Sequence, residues 1–284
     1  MTKKTLLTKF FLKFFKDLPY LNLNLNKPKI YNKNYIKIIN ERNFHFQYSF
    51  EMKTVNQDFK FPRYENMLVA QDILTNYNLT NSSNKKSLSL CESAPLDGYI
   101  VWRLSPLQKK SNLNLNILEI QKGNCEKIEL ISKVFNYKLN IFNDSLDNFN
   151  NGKFNYFTML GVTYQLPNPI NTFTHILNNL LLPGAIFYFD FIHPYENFKK
   201  YGFHDNGEVN LDGFIGRKYI LADDRTKEDN EYFLNHPTSA TSTLLFNKQE
   251  FKSLFKSKFK LNLIELYISV ADTYEMVTYA VHLK

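Results

Sequence analysis

FNYFTMLGVTYQLPNPINTFTHILNNLLLPGAIFYFDF, Phe154 to Phe191, reads as strand, loop, amphipathic helix, Pro-Gly turn and strand. Phe154 to Val162 is a nearly continuous apolar run, the pattern of a strand covered on both faces. Ile170, Phe173, Leu177, Leu180 and Leu181 recur at helical spacing, and Pro183 and Gly184 stop that helix before AIFYFDF opens the next buried strand. A strand, helix and parallel strand of this length form one right-handed crossover. The unit predicts an open α/β sheet, whose ligands bind beyond the carboxyl ends of its strands.

The flanking segments extend the same alternation. PRYENMLVAQDILTNYNL, Pro62 to Leu79, predicts a helix, and SLSLC a first strand that ends in the acid Glu92 and leads through small residues to Gly98 and a second helix. Strand NILEI, helix CEKIELISKVFNY, strand KLNIF and the loop NDSL follow, then the crossover unit. QEFKSLFKSKF predicts the last helix, and LNLIELYI with YEMVTYAVHLK a closing strand pair.

Composition bounds the rest. With 284 residues, 44% hydrophobic and 16% aromatic, the chain can bury a large core, which excludes disorder of the whole. The abundance of Asn, Lys, Phe, Tyr and Leu makes runs such as LNLNLN compositional rather than a repeat. Only two cysteines occur, Cys91 and Cys125, without the His or Cys spacing of a metal site, so a reducing compartment and no zinc are expected. Cytoplasm or mitochondrial matrix fits this usage, and secretion does not. Cys91 falls in an apolar strand, where a small buried residue is the ordinary reading. No apolar run reaches the eighteen or so residues of a membrane span.

Residues 1–45 carry ten Lys and Arg against two Asp and Glu, and the rest is balanced, so the whole formal excess of +8 lies in this arm. MTKKTLLTKFFLKFFKDL predicts a basic amphipathic helix, with Leu6, Phe10, Phe14 and neighbours on one stripe and Lys3, Lys9, Lys13 and Lys16 largely elsewhere. Four uses fit: an organellar presequence, a membrane-surface helix, a segment inserting into RNA or another subunit, and a helix packed on its own domain. Residues 19–45, rich in Asn and punctuated by Pro19 and Pro28, read as an extended tether. A neutral body lacks the net basic face with which nucleic-acid enzymes grip phosphates. The domain expectation is therefore a 1–45 arm and tether, and a 46–284 body with an insertion at about 195–243.

From about Asn66 to Lys284 the chain resembles the class I S-adenosylmethionine-dependent methyltransferases. The resemblance rests on the ending LNLIELYI then YEMVTYAVHLK and on GVTYQLPNP followed by a helix and LLLPGAIF. It implies a Rossmann-like seven-stranded, mostly parallel sheet with helices on both faces and an antiparallel last strand. Its implied cofactor contacts are Glu92 and the turn Ala94 to Gly98 around the methionine and ribose. Glu119 would accept from the ribose hydroxyls, Asp144 and Ser145 would lie at the adenine edge, and Leu160, Gly161 and Val162 would form the pocket floor. Each has a bland counterpart: Glu92 as a helix cap, Glu119 and Asp144 as solvated loop acids, Gly161 as an aid to packing.

The sequence departs from the family at the turn. An acid followed by alternating glycines is here Glu92-Ser93-Ala94-Pro95-Leu96-Asp97-Gly98, which keeps only the last glycine. Side chains at 94 and 96 add bulk and limit positive φ, so impaired or lost cofactor binding is expected. ESAP also resembles the loop of RNA 2′-O-methyltransferases, but the Lys-Asp-Lys-Glu tetrad of that group is missing.

Methyl transfer from a sulfonium is an in-line displacement, in which positioning supplies most of the acceleration and a general base is optional. For a hydroxyl or amine acceptor the candidate bases are His193 foremost, then Asp190, Tyr164 and His236. The insertion, with hairpin chemistry at Asp205-Asn206-Gly207 and Asp212-Gly213, is expected to form a lid, and its carboxylates match no calcium loop. Two functions follow. One is a methyltransferase acting on a small-molecule or tethered acceptor. The other is a catalytically silent subunit of the same fold, anchored by its basic arm in a larger assembly such as an organellar ribosome or respiratory complex.

Overall fold

The computed structural model describes residues 32, 34–42, 64–81, 87–109, 112–198, 202–221 and 242–284. The predicted amphipathic helix at the N-terminus and the candidate base His236 lie outside these residues. In chain order the elements are α1 (Asn34–Glu41), α2 (Tyr64–Asn81), β1 (Leu88–Ser93), α3 (Tyr99–Leu104), β2 (Leu113–Leu118), α4 (Lys122–Phe135), β3 (Asn140–Phe142) and β4 (Phe154–Met159). They continue with α5 (Pro169–His175), β5 (Leu181–Pro194), β6 (Phe203–Leu211), β7 (Phe214–Leu221), β8 (Ser242–Leu245), α6 (Lys248–Leu254), β9 (Ile264–Val270) and β10 (Tyr274–His282).

Seven strands form one sheet in the order β3-β2-β1-β4-β5-β10-β9. The first five run parallel, and β10 inserts antiparallel between β5 and β9. The expected Rossmann-like sheet with its antiparallel last strand is therefore present. The chain winds outward from β1 through β2 to β3, then returns to β4 and winds the other way. That reversal opens a crevice at the carboxyl ends of β1 and β4.

The crossover motif folds as its pattern requires. Asn168 caps α5, its side chain accepting from the Asn171 N–H, and Pro169 occupies the first turn, where a missing N–H costs nothing. The helix closes in a π turn over Ile176–Leu180, one residue before the predicted end, because Leu181 already pairs with Phe154. Pro183 and Gly184 thus fall inside β5.

Each sheet face has its own core. Beneath α2, α3 and α4, residues such as Ile73, Val101 and Ile131 meet Leu90, Ile117 and Tyr188. The opposite face is rich in aromatic rings: Phe173, Phe251 and Phe255 pack on Phe187, Phe189 and Phe191. Phe191 and Phe251 stack with centroids 4.0 Å apart. Tyr188 donates to the Asp72 carboxylate at 2.7 Å, which ties α2 to the middle of β5.

Two expectations need correction. Residues 34–41 are helical and docked rather than an extended tether: Ile39 is buried beside α4, and Arg42 pairs with Glu126 at 2.8 Å. The apolar positions Tyr35 and Ile39, one helical turn apart, give this short segment a face to bury. In the insertion, Asp212 and Gly213 do form the hairpin turn, with φ of 55° and 89° between Leu211 and Phe214. Asp205-Asn206-Gly207 instead makes a bulge within β6, where the register with β7 shifts. The described part of the insertion is a three-stranded sheet, β6-β7-β8. Its β8 packs on the turn Thr163–Gln165 and β5, and β7 packs on α6, so this part extends the aromatic core.

Candidate functional site

The strand ends determine what can meet. Ser93 is level with Leu118 and Met159, and Leu118 with Phe142, so β1, β2, β3 and β4 all finish on one line. Ala94, Glu119, Asn143 and Leu160 are the first residues past four adjacent ends. Cross-links hold the loops at that line: the Ala94 N–H donates to the Leu118 carbonyl at 2.8 Å and the Glu119 N–H to the Phe142 carbonyl at 3.0 Å. The Asn143 amide clasps the carbonyls of Glu119 and Ile120, both at 2.9 Å. Glu92, the 94–98 turn, Glu119, Asp144, Ser145, Leu160 and Gly161 thereby share one rim.

The turn has an unexpected shape for its sequence. Ala94, Leu96 and Gly98 have φ of 45°, 57° and 69°, so every second residue is left-handed. The expectation that Ala and Leu limit positive φ here is overturned. At Ala94 and Leu96 this costs roughly 1–2 kcal/mol each, so the surroundings must impose the torsions. They include the 2.8 Å bond from Ala94 to β2 and bonds from the Asp97 and Gly98 N–H groups to the Pro95 carbonyl, at 2.6 and 3.1 Å. Gly98 has a second requirement, since a Cβ there would lie 3.3 Å from Ile128 and Val101 side-chain carbons.

Glu92 is buried and accepts from the N–H groups of Ile100 and Val101, at 3.3 and 2.9 Å. Its carboxyl therefore caps α3, filling N–H groups that the sequence offers to a cofactor. Burial pushes its pKa up to about 8, the two backbone donors oppose this, and Asp97 adds to it. Glu119 is also buried, and its Oε1 accepts the Gln121 N–H at 2.8 Å. Burial raises its pKa, against the Gln121 N–H, the Asn124 amide and the Lys127 charge. Beside it, burial and then Glu119 push the Cys125 thiol up to about 11, so this cysteine is no ready thiolate.

Asp144 folds back on the Ser145 N–H at 2.7 Å, and the Ser145 hydroxyl is buried without a partner among the described residues. Gly161, at φ 76°, donates its N–H to Asp190 Oδ2 at 2.7 Å, so Asp190 holds the loop after β4. Tyr164 is half-buried in the turn Thr163–Gln165.

His193 stands apart. The sequence places it beyond the fifth strand, yet β5 continues pairing with β10 as far as Pro194, and His193 is 1% exposed among Phe191, Phe251 and Tyr279. Nδ1 lies 3.0 Å from the Phe246 carbonyl, which can only accept, so Nδ1 carries the proton and Nε2 accepts from the Tyr279 hydroxyl at 2.8 Å. Burial holds its pKa down at about 4. With both nitrogens engaged inside the aromatic core, His193 is a structural histidine.

Sequence reasoning missed three features of the rim. Asn143 has no signature beyond its place after a strand. Ile120, 59% exposed, is an apolar side chain beside the strand-end acid. Lys127 donates to Asp97 at 2.7 Å with both side chains almost wholly buried. Its signal was available: a lysine one and two turns before Ile131 and Val134, on the apolar stripe of α4.

No family model matches the chain, and no curated protein is similar to it in sequence. Similarity to solved structures lies in the fold. The N-terminal domain of EvdMO1 with S-adenosylhomocysteine bound superposes with a TM-score of 0.61 at 10% identity, covering 92% of this chain and 100% of that one. The same domain in the presence of S-adenosylhomocysteine and D-fucose gives 0.59 at 11% identity, with the same coverage. An S-adenosylmethionine-dependent methyltransferase from Clostridium acetobutylicum gives 0.51 at 15% identity, covering 78% of this chain and 92% of that one. The chain has the class I methyltransferase fold.

Proposed function

We propose that this chain is an S-adenosylmethionine-dependent methyltransferase acting on a small-molecule or tethered acceptor. One observation carries the reading: four level strand ends converge at the switch point, and the turn after β1 keeps alternate left-handed torsions although two of its three positions are not glycine. A strained backbone that its surroundings enforce is a feature of ligand sites.

The rim suits the cofactor. The Ala94–Gly98 backbone would face its methionine and ribose, and Glu119 would accept from the ribose hydroxyls, since an ionised carboxylate has lone pairs beyond those its internal donors use. Ile120 offers apolar surface to a purine ring, with Asp144 and the Ser145 hydroxyl at its polar edge. Leu160 and Gly161 would floor the slot, with Asp190 fixing Gly161. When bound, S-adenosylmethionine supplies an activated methyl group. The chain's own work is then alignment and exclusion of water, consistent with a core-supported insertion beside the loop after β4. Tyr164, on that loop, is the acceptor-side candidate that replaces His193.

The silent-subunit reading has one observation in its favour. The Ala94 Cβ and the Leu96 side chain stand on the turn where a ligand would approach the backbone. Titration with S-adenosylmethionine in a calorimeter separates the two readings. Micromolar binding that a Glu119→Ala variant loses supports the enzyme, and no heat at millimolar ligand refutes it. No helix among the described residues is long and apolar enough to cross a membrane. A protein or RNA assembly held through residues 1–45 remains part of the second reading, as does a mitochondrial address.

A further inference from the structure

Lys127 occupies a position where packing alone calls for an aliphatic side chain. It lies on the buried stripe of α4, 2% exposed, and its ammonium meets Asp97 Oδ1 at 2.7 Å, that carboxylate being 1% exposed. A buried ion pair gains little net stability, because desolvation offsets the attraction, and apolar residues of similar volume often serve as well. What the pair does have is location. Asp97 belongs to the 94–98 turn, immediately before the required glycine, and α4 begins three residues after Glu119.

We propose that Lys127 is a positioning residue for the nucleoside cofactor: one buried ammonium locks the turn after β1 and the loop after β2 into a single frame. This rests on the methyltransferase reading. The same charge also favours the ionised form of Glu119, in which both oxygens can accept from ribose hydroxyls. Around Glu119 the titratable neighbours are Lys127 and Cys125 from α4, and the Gln121 N–H and Asn124 amide donate to it. Behind them Asp97 faces Glu92 of β1, and Tyr137, after α4, faces Glu92 as well.

The test is calorimetric titration of S-adenosylhomocysteine from pH 5 to 8.5 into wild type, Lys127→Arg, Lys127→Met and the double variant Asp97→Asn with Lys127→Met. The double variant leaves no unpaired buried charge, so it reports even if Lys127→Met fails to fold. Loss of the ammonium should weaken binding at least tenfold and move the acid midpoint, below which affinity falls, to higher pH. Lys127→Arg should keep the wild-type midpoint. Wild-type affinity in the double variant overturns the proposal, and so does weaker binding with an unmoved midpoint, the signature of a packing role. A wild type silent to the ligand overturns the cofactor reading and this inference with it, which separates the two failures.

Discussion

Replacing Glu92 by glutamine should change how the stability of this chain depends on pH. The carboxyl is 4% exposed and its pKa rises from 4.5 to about 8, with burial as the first cause. Its folded state therefore holds the proton more tightly than the unfolded chain does. This contribution to stability is complete below about pH 4.5 and drains away as pH rises to about 8, where the folded protein must ionise a buried acid beside Asp97. A shift of that size corresponds to at most about 5 kcal/mol across the window. Glutamine cannot ionise, but its amide oxygen replaces only one of the two acceptors that serve Ile100 and Val101, a loss of about 1 kcal/mol. Glu92→Gln should thus be slightly less stable than wild type at pH 4.5 and more stable by a few kcal/mol at pH 8.5. Urea unfolding followed by the fluorescence of the single tryptophan, Trp102, buried beside Tyr99 and Phe135, measures both. Parallel curves for the two proteins from pH 4.5 to 8.5 would refute the reasoning.

Leu96→Gly should relieve a left-handed leucine, raising stability by about 1 kcal/mol after the greater entropy of the unfolded glycine is counted, and should tighten cofactor binding; a lower urea midpoint contradicts the torsion. His193→Gln should leave any methyl transfer within threefold of wild type in a radiolabel assay, because the ring lies in the core. Its depressed pKa predicts an acid effect of the opposite sign to that of Glu92. His193 contributes stability that is present above about pH 6.5 and is lost as pH falls towards 4, by about 3 kcal/mol, and the variant should escape that loss in unfolding measured at pH 4 and 7. Phe251→Ala should destabilise the fold by about 3–5 kcal/mol, since that ring contacts Phe173, Phe189, Phe191 and Phe255, and a loss under 1 kcal/mol would mean that the aromatic face repacks freely.

The crossover from β4 to β5 was legible because local pattern and tertiary role agree there: an apolar run for a doubly covered strand, a helical stripe, and a second apolar run for the next strand. The strand-end acids Glu119 and Asp144 were singled out through the family resemblance, and their placement on one rim follows because parallel strands that finish level bring the residues just past their ends together. The register of β5 was not legible. His193 is buried because β10 accompanies β5 to Pro194, and such a pairing length is set by a partner eighty residues away. The apolar stripe of α4 could have marked Lys127, but its partner Asp97 was hidden for the same reason, their meeting being a property of helix against turn. The 94–98 turn ran against the sequence outright, because residue preference argued for one backbone and the neighbouring strand ends imposed another.

That turn separates two things usually confounded, the letters of a motif and the curve they draw. Here alternate residues are left-handed although two of the three are not glycine, and the turn is tied from outside by a carbonyl of the next strand and a caged ammonium. Small changes in the scaffold, rather than in the turn's own residues, would then be the lever by which such a site is loosened, tightened or silenced.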